Sequence, residues 1–295
     1  MSLIGEYQNG NCNTKIYDDG TKTRETEEEC FSPVFPESMD IKITNYCNMG
    51  CPFCHENSTT DGLHGDILRA EFIDSLMPFT ELAIGGGNPI SHPDLIPFLQ
   101  KLKQKNIVAS FTLNQKHFLE NQQLVESLVS EKLIYGIGVS LTKATPGLIK
   151  CLKKFPNAVL HVINGIVDIK DLQELYGKGF KVLILGYKTF RRGAEYYSES
   201  IEKEKTIIYN ELPNIIKNFS VVSFDNLAIK QLKVKRLMSE EKWNEFYMGD
   251  DGQFTMYVDM VNQEFARSSV SEKRYKNGAD IIEMFDTIRS EARAS

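Results

Sequence analysis

The sequence predicts an α/β protein: a partial (β/α)6 TIM-like barrel with a small N-terminal hairpin and a C-terminal α+β extension. Three observations carry that expectation. Short apolar runs recur at 39–44, 81–84, 107–113, 134–141, 158–163 and 180–185, with helix-like segments between them. From 81 onward the runs begin 22 to 27 residues apart, enough for one strand, one helix and two short loops. The runs are continuously apolar, as strands of a parallel sheet covered by helices should be. Six such units fall short of the eight that close a full barrel, so an open one is expected. A flat doubly wound sheet is the alternative.

Taken in order, residues 1–38 form a polar lead-in. Asp18-Asp19-Gly20 separates two β-prone pieces, 14–17 and 21–24, and reads as a hairpin turn. The acidic stretch 25–29 and two prolines, Pro33 and Pro36, then lead into the repeating region, 39–225. Helices are expected at 67–77, 94–105, 118–130, 146–153 and 168–176, followed by 201–217. A strand-like piece at 220–224 and a short helix at 226–232 come next. The remainder, 226–295, is expected to be a separate extension. It holds a helix near 240–247, an alternating strand at 254–261 turned by Asn262-Gln263, and a helix at 281–289. That hairpin is expected to pack over the barrel opening.

Composition narrows the class further. The apolar share of 41% and the charged share of 25% are those of an ordinary globular protein. No apolar run is long enough to span a membrane, and no basic-then-apolar leader opens the chain, so a cytoplasmic, membrane-free protein is expected. A net charge of −6 offers no general attraction to nucleic-acid backbones. Six cysteines without a secretory signal point to a reducing compartment, where clustered thiols mean metal or chemistry.

The cysteines are indeed clustered. Cys47, Cys51 and Cys54 stand in a Cys-x3-Cys-x2-Cys loop directly after the first apolar run. Thiolates are the usual ligands of iron–sulfur clusters, and a fully protein-held cubane takes four. Three in one loop, with no fourth at matching spacing, imply a cluster with one iron left open. A structural zinc site would need a fourth ligand, which the adjacent His55 could supply, although such ligands usually come as two separated pairs. A second motif ends the next strand: Gly85-Gly86-Gly87-Asn88-Pro89. Glycines there permit close approach of a ligand to the backbone, or simply a tight turn.

Cys47, Cys51 and Cys54, with aromatic Phe53 before the last cysteine, resemble the signature of radical S-adenosylmethionine enzymes, and the likeness covers most of 39–224. The resemblance implies one [4Fe-4S] cluster on these cysteines and S-adenosyl-L-methionine chelated at the open iron. Reductive cleavage then gives a 5′-deoxyadenosyl radical that abstracts a substrate hydrogen. In the family a Gly-Gly-Glu-Pro stretch receives the methionine amino group of the cofactor. Here Gly86, Gly87 and Pro89 match it, while Asn88 stands where glutamate is usual. Phe53, Gly86, Gly87 and Asn88 are thus expected at the cofactor. The polar strand ends Asn114, Ser140 and Asn164 are further candidates, although each could instead cap the following helix.

The resemblance also implies an electron donor such as flavodoxin or ferredoxin. It leaves the substrate open between a peptide or protein side chain and a small metabolite, and assigns no catalytic residue beyond the cluster ligands. Arg191 and Arg192 could hold a carboxylate. Beyond Cys54 only Cys151 remains, so auxiliary clusters and a molybdenum-cofactor-type cyclisation, which needs a second cysteine triad, are not expected. The polar loop 56–66 is long enough to act as a movable cover. The rival class is a non-catalytic zinc- or iron–sulfur-binding module, or a redox sensor, on a degenerate barrel.

Overall fold

The structure, a computed structural model, describes residues 1–294. The chain opens with an antiparallel sheet of β1 (Leu3–Asn9), β2 (Cys12–Tyr17) and β3 (Lys22–Glu25). The expected hairpin is β2–β3, turned at Gly20 with φ +89°. The strand before it was not legible, because Leu3–Asn9 is mostly polar and only Gly5 and Asn9 are buried.

The β/α repeat follows. Its strands are β4 (Ser38–Thr44), β5 (Glu81–Gly86), β6 (Val108–Asn114), β7 (Gly136–Ser140), β8 (Ala158–Ile163), β9 (Lys181–Leu185) and β10 (Val221–Phe224), each parallel to its predecessor. The sixfold rhythm thus gains a seventh strand from the strand-like piece at 220–224. The covering helices are α1 (Leu95–Gln104), α2 (Gln115–Glu120), α3 (Gln122–Ser130), α4 (Pro146–Leu152), α5 (Ile169–Gln173), α6 (Arg192–Tyr196), α7 (Glu199–Asn218) and α8 (Asn226–Leu232). The helix expected at 67–77 is only a 3-10 turn, Glu71–Ser75. Its apolar residues Ile67, Phe72 and Ile73 are buried as expected, but by a largely irregular segment.

The C-terminal segment carries α9 (Glu240–Phe246), β11 (Thr255–Asp259), β12 (Glu264–Ala266), β13 (Tyr275–Lys276) and α10 (Ile281–Ala294). The expected turn lies between β11 and β12, with Gln263 at φ +54°. The hairpin does not lie over the opening. Instead, β11 pairs parallel to β4 and extends the sheet at that edge. The backbone hydrogen bonds a bare β4 edge would leave unmade explain why.

The two faces of the strands differ. Met39, Ile41, Ile43, Leu82, Ile84 and Phe111 point outward and are essentially inaccessible, packed in the apolar core beneath the helices. Inward positions are polar or small: Asp40, Lys42, Thr44, Ala83, Gly85 and Thr112. A closed barrel fills its interior with bulky side chains. This one is lined so as to leave a chamber.

The N-terminal sheet closes the floor of that chamber, at the strands' starting ends. Asn157 Nδ2 donates to Asp18 O at 3.1 Å and Lys181 Nζ to Asp19 O at 3.4 Å. Below β4, the fully buried Glu37 accepts from Arg24 Nε at 2.6 Å and from Thr14 Oγ1 at 3.2 Å, with Lys22 Nζ 3.6 Å away. Lys22 also pairs with Glu81.

Candidate cofactor site and the charges around it

β4 ends at Thr44 and the chain turns at once into the cysteine loop, which therefore sits at the barrel mouth. The loop is anchored by its own backbone. Asn45 N–H donates to Leu63 O and Cys47 N–H to Thr59 O, each at 2.8 Å, and Gly65 N–H donates to Ile43 O at 2.8 Å. His64 Nδ1 lies 2.9 Å from Thr44 Oγ1, and His92 Nε2 lies 2.9 Å from Gly65 O. The segment expected as a movable cover is thus stitched to the end of β4.

The glycine-rich strand end leans against this loop. Gly87 N–H donates to Thr44 O and Asn88 N–H to Tyr46 O, each at 2.7 Å. Gly86 has φ +106°, and a Cβ there would lie 2.4 Å from Thr44 O; at Gly87 it would lie 2.1 Å from Tyr46 O. No side chain can be accommodated at either without moving the loop. Gly85 differs: a Cβ there would meet nothing within 4 Å, so it borders open space.

Cys47, Cys51 and Cys54 are half-buried, and Cys54 N–H donates to Cys51 O at 3.2 Å in a tight turn. Burial pushes the Cys47 and Cys51 thiols up, the charge on Cys54 raises both further, and the Arg192 guanidinium opposes this. The three sulfurs therefore lie in one another's field, a donor set that a polycationic centre would neutralise. Among the described residues, no three His, Cys, Asp or Glu side chains converge on a single metal ion. The ligands of a cluster bind different irons, so three thiolates holding one need not converge on a single point.

The expected cofactor residues fall into three places. Phe53, Gly86, Gly87 and Asn88 surround the cysteine loop, with the Phe53 ring 5.9 Å from that of Tyr196. Asn114 and Ser140 are neighbours in register at the ends of β6 and β7. Asn114 Oδ1 accepts from Lys116 N–H at 2.9 Å and so caps α2. Asn164 is wholly buried and donates from Nδ2 to Gln231 Oε1 at 3.0 Å. Buried side-chain atoms without a partner mark where a bound group would fit: Asn88 Oδ1, Asn164 Oδ1 and Arg192 Nε. Arg192 meanwhile donates from Nη2 to Ser58 O at 2.7 Å, which keeps its guanidinium beside the thiols.

A buried charge cluster beside this site was not legible in the sequence. Lys42, 1% exposed, reaches Asp259 Oδ2 at 3.0 Å and Glu56 Oε2 at 3.2 Å. Glu56 also faces His55 Nε2 at 3.3 Å and Tyr257 OH at 3.3 Å, and its backbone oxygen accepts from Arg191 Nη1 at 3.0 Å. Lys188 Nζ bridges His55 Nε2 at 3.2 Å and Ser269 Oγ at 2.9 Å. Burial works against ionisation of Glu56, but the His55 hydrogen bond and the charges of Lys42 and Lys188 outweigh it and hold the carboxyl well below the usual range. Burial, with Lys188 adding to it, lowers His55. The one sequence signal was Asp40 and Lys42 at alternate positions of an otherwise apolar strand. On the other flank, His117 Nε2 lies 2.7 Å from Asn48 Oδ1 and braces the loop between the first two cysteines.

No protein-family model matches the chain. Over 141 residues it is 30% identical to a probable GTP 3′,8-cyclase of Methanocaldococcus jannaschii, a stretch covering 46% of this chain and 46% of that protein. The chain thus matches about half the length of that relative. Solved structures with the same fold include the Streptococcus suis protein SuiB bound to its precursor peptide SuiA, with a TM-score of 0.59 and 16% identity over 89% of this chain and 68% of that one. SuiB bound to S-adenosylmethionine gives a TM-score of 0.57 and 17% identity over 89% of this chain and 67% of that one. The SuiB structures share the fold of this chain, and the cyclase is its relative over the half that it matches.

Proposed function

We propose that the protein reductively cleaves S-adenosylmethionine at a single [4Fe-4S] cluster and uses the product to take a hydrogen atom from a substrate in the barrel. The observation that carries this reading is the Cys47–Cys51–Cys54 loop held by backbone hydrogen bonds against the Gly86–Gly87–Asn88 strand end at the mouth of the barrel. When bound, the cluster supplies the electron that splits the cofactor's sulfonium to methionine and a 5′-deoxyadenosyl radical.

The chain's own residues bind, orient and enclose. Gly86 and Gly87 keep the cysteine loop close to β5, and His117 braces it through Asn48. Asn88 Oδ1 and Arg192 Nε are two of the buried atoms that lack partners, and they suit the amino group and the carboxylate of the cofactor's methionine, respectively. The Lys42–Glu56–Asp259 cluster fixes the wall between loop and chamber. A peptide or a small metabolite remains the substrate class. The SuiB likeness supports a peptide, and the cyclase likeness a nucleotide.

The test is anaerobic reconstitution with iron and sulfide, then dithionite and S-adenosylmethionine, with 5′-deoxyadenosine measured by chromatography. Wild type should form it and Cys51→Ala should not. A fully loaded cluster that yields none, or equal yield from the variant, overturns the proposal.

A further inference from the structure

Asp40 is set where a carboxylate is costly. It lies on the inward face of β4, between β5 and β11, in register with Ala83 on one side and Tyr257 on the other. Both of those strands are paired on either side, so neither neighbour lies at a sheet edge. Nevertheless Asp40 and Ala83 keep accessible surface, which can only face the chamber. Among the described residues the Asp40 side chain makes no hydrogen bond and no ion pair, unlike that of Lys42 two positions on. Protein surrounds it, and that desolvation raises its carboxyl, with Asp225, Asp251 and Glu56 adding to the rise and Lys188 opposing it.

The nearby cations are already committed. Lys42 serves Asp259 and Glu56, and Lys188 serves His55 and Ser269. Lys188 still acts on Asp40 as the largest single charge, against Asp225, Asp251 and Glu56, and the Asp40 carboxyl has no side-chain partner of its own. Across the sheet, His161 lies in register with Ser140 and Leu183. His161, 3.5 Å from Thr112 Oγ1, lies across Gly138, where a Cβ would come within 2.6 Å of its ring nitrogen. Burial lowers this imidazole to about 4, so it is neutral at physiological pH.

We propose that the chamber takes a substrate bearing a protonated amine or guanidinium, which Asp40 receives. This rests on the function proposed above and names its substrate class. The shared chemistry is an organic cation, carried either by a basic side chain of a peptide or by a free amine.

Isothermal titration of the reconstituted protein with S-adenosylmethionine tests it, using three probes: Nα-acetyl-L-lysine methylamide, agmatine and GTP. Wild type should bind at least one cationic probe and prefer it to GTP. The tighter of the two cations then distinguishes a peptide side chain from a free amine. Asp40→Asn, nearly isosteric, should weaken that binding at least about tenfold, as loss of a charged hydrogen-bond partner does. Its melting temperature should change little, since the Asp40 side chain has no hydrogen bond or ion pair to lose. Asp19→Asn, in the floor hairpin, should leave binding unchanged. Undiminished binding to Asp40→Asn, or no binding of either cation by wild type, overturns the assignment. Formation of 5′-deoxyadenosine by wild type without any probe is scored separately, so a failure of the radical reading shows up on its own.

Discussion

Two buried glutamates, one at each end of the barrel, are held by similar partners for different ends. Glu37 at the floor is fully inaccessible and answers Lys22, Arg24 and Thr14, all from the N-terminal sheet. Glu56 at the mouth answers Lys42, His55 and Tyr257 and sits two residues beyond the last cysteine of the loop. The floor cluster ties one sheet to another. The mouth cluster holds the cysteine loop. In a barrel of this kind the starting ends of strands give stability and the finishing ends give function. The same ionic chemistry therefore reads as a rivet in one place and as a positioning device in the other.

The comparison is most severely tested at Glu37. Replacing it with alanine strands Arg24 and weakens the hold on Lys22, and should cost about 3–4 kcal/mol in chemical denaturation. If the floor is purely structural, the folded fraction should still take up a cluster, read from its visible absorption. The next largest effect lies between the two clusters, at His161. Its folded-state value of about 4 lies below the ordinary 6.5, so the unfolded chain binds the proton more readily. That stability is fully present above about pH 6.5 and is lost as pH falls toward 4, by roughly 2–3 kcal/mol. His161→Gln should flatten this slope in denaturation curves recorded across the interval, and an unchanged slope would place the acid sensitivity elsewhere.

Glu56→Gln should cost less stability than Glu37→Ala, about 1–2 kcal/mol, because Lys42 keeps Asp259 at 3.0 Å. Its signature should be local: faster amide exchange across 47–58 with little change elsewhere. Uniform loss of protection would make the mouth a rivet as well. Tyr257→Phe is the mildest change. Its hydroxyl is 3.3 and 3.4 Å from the Glu56 oxygens, long for a hydrogen bond, so removing it should cost under about 1 kcal/mol in the same denaturation assay.

What the sequence disclosed follows from how far apart the interacting residues lie. Met39, Ile41 and Ile43 announced a buried strand because periodicity is a local property. The spacing of Cys47, Cys51 and Cys54 is local in the same way. Lys42 and Asp259 are 217 positions apart, and nothing local to either says that they meet. The Ile67–Ile73 stretch carries helical spacing but folds mostly without a helix, because its backbone is used to return from the anchored loop to β5. Asn114 shows the limit at a single residue: a polar side chain at a strand end suits a ligand or a helix cap equally well until the Lys116 amide is seen 2.9 Å away.

The pairing of β11 with β4 also sets an order of events. Val258 joins Ile41 only after the intervening chain has been made, which at about 5–20 residues per second takes roughly 10–40 s. Until then the β4 edge is bare and Lys42 lacks its Asp259 partner, while the cysteine loop and the glycine strand end, neighbours in sequence, can already meet. A nascent chain would thus present its thiols well before the chamber wall is complete. Loop closure across such a distance is slow and leaves an edge open to mispairing. The last-made wall of the chamber is then both the step that seals it and the step most exposed to error.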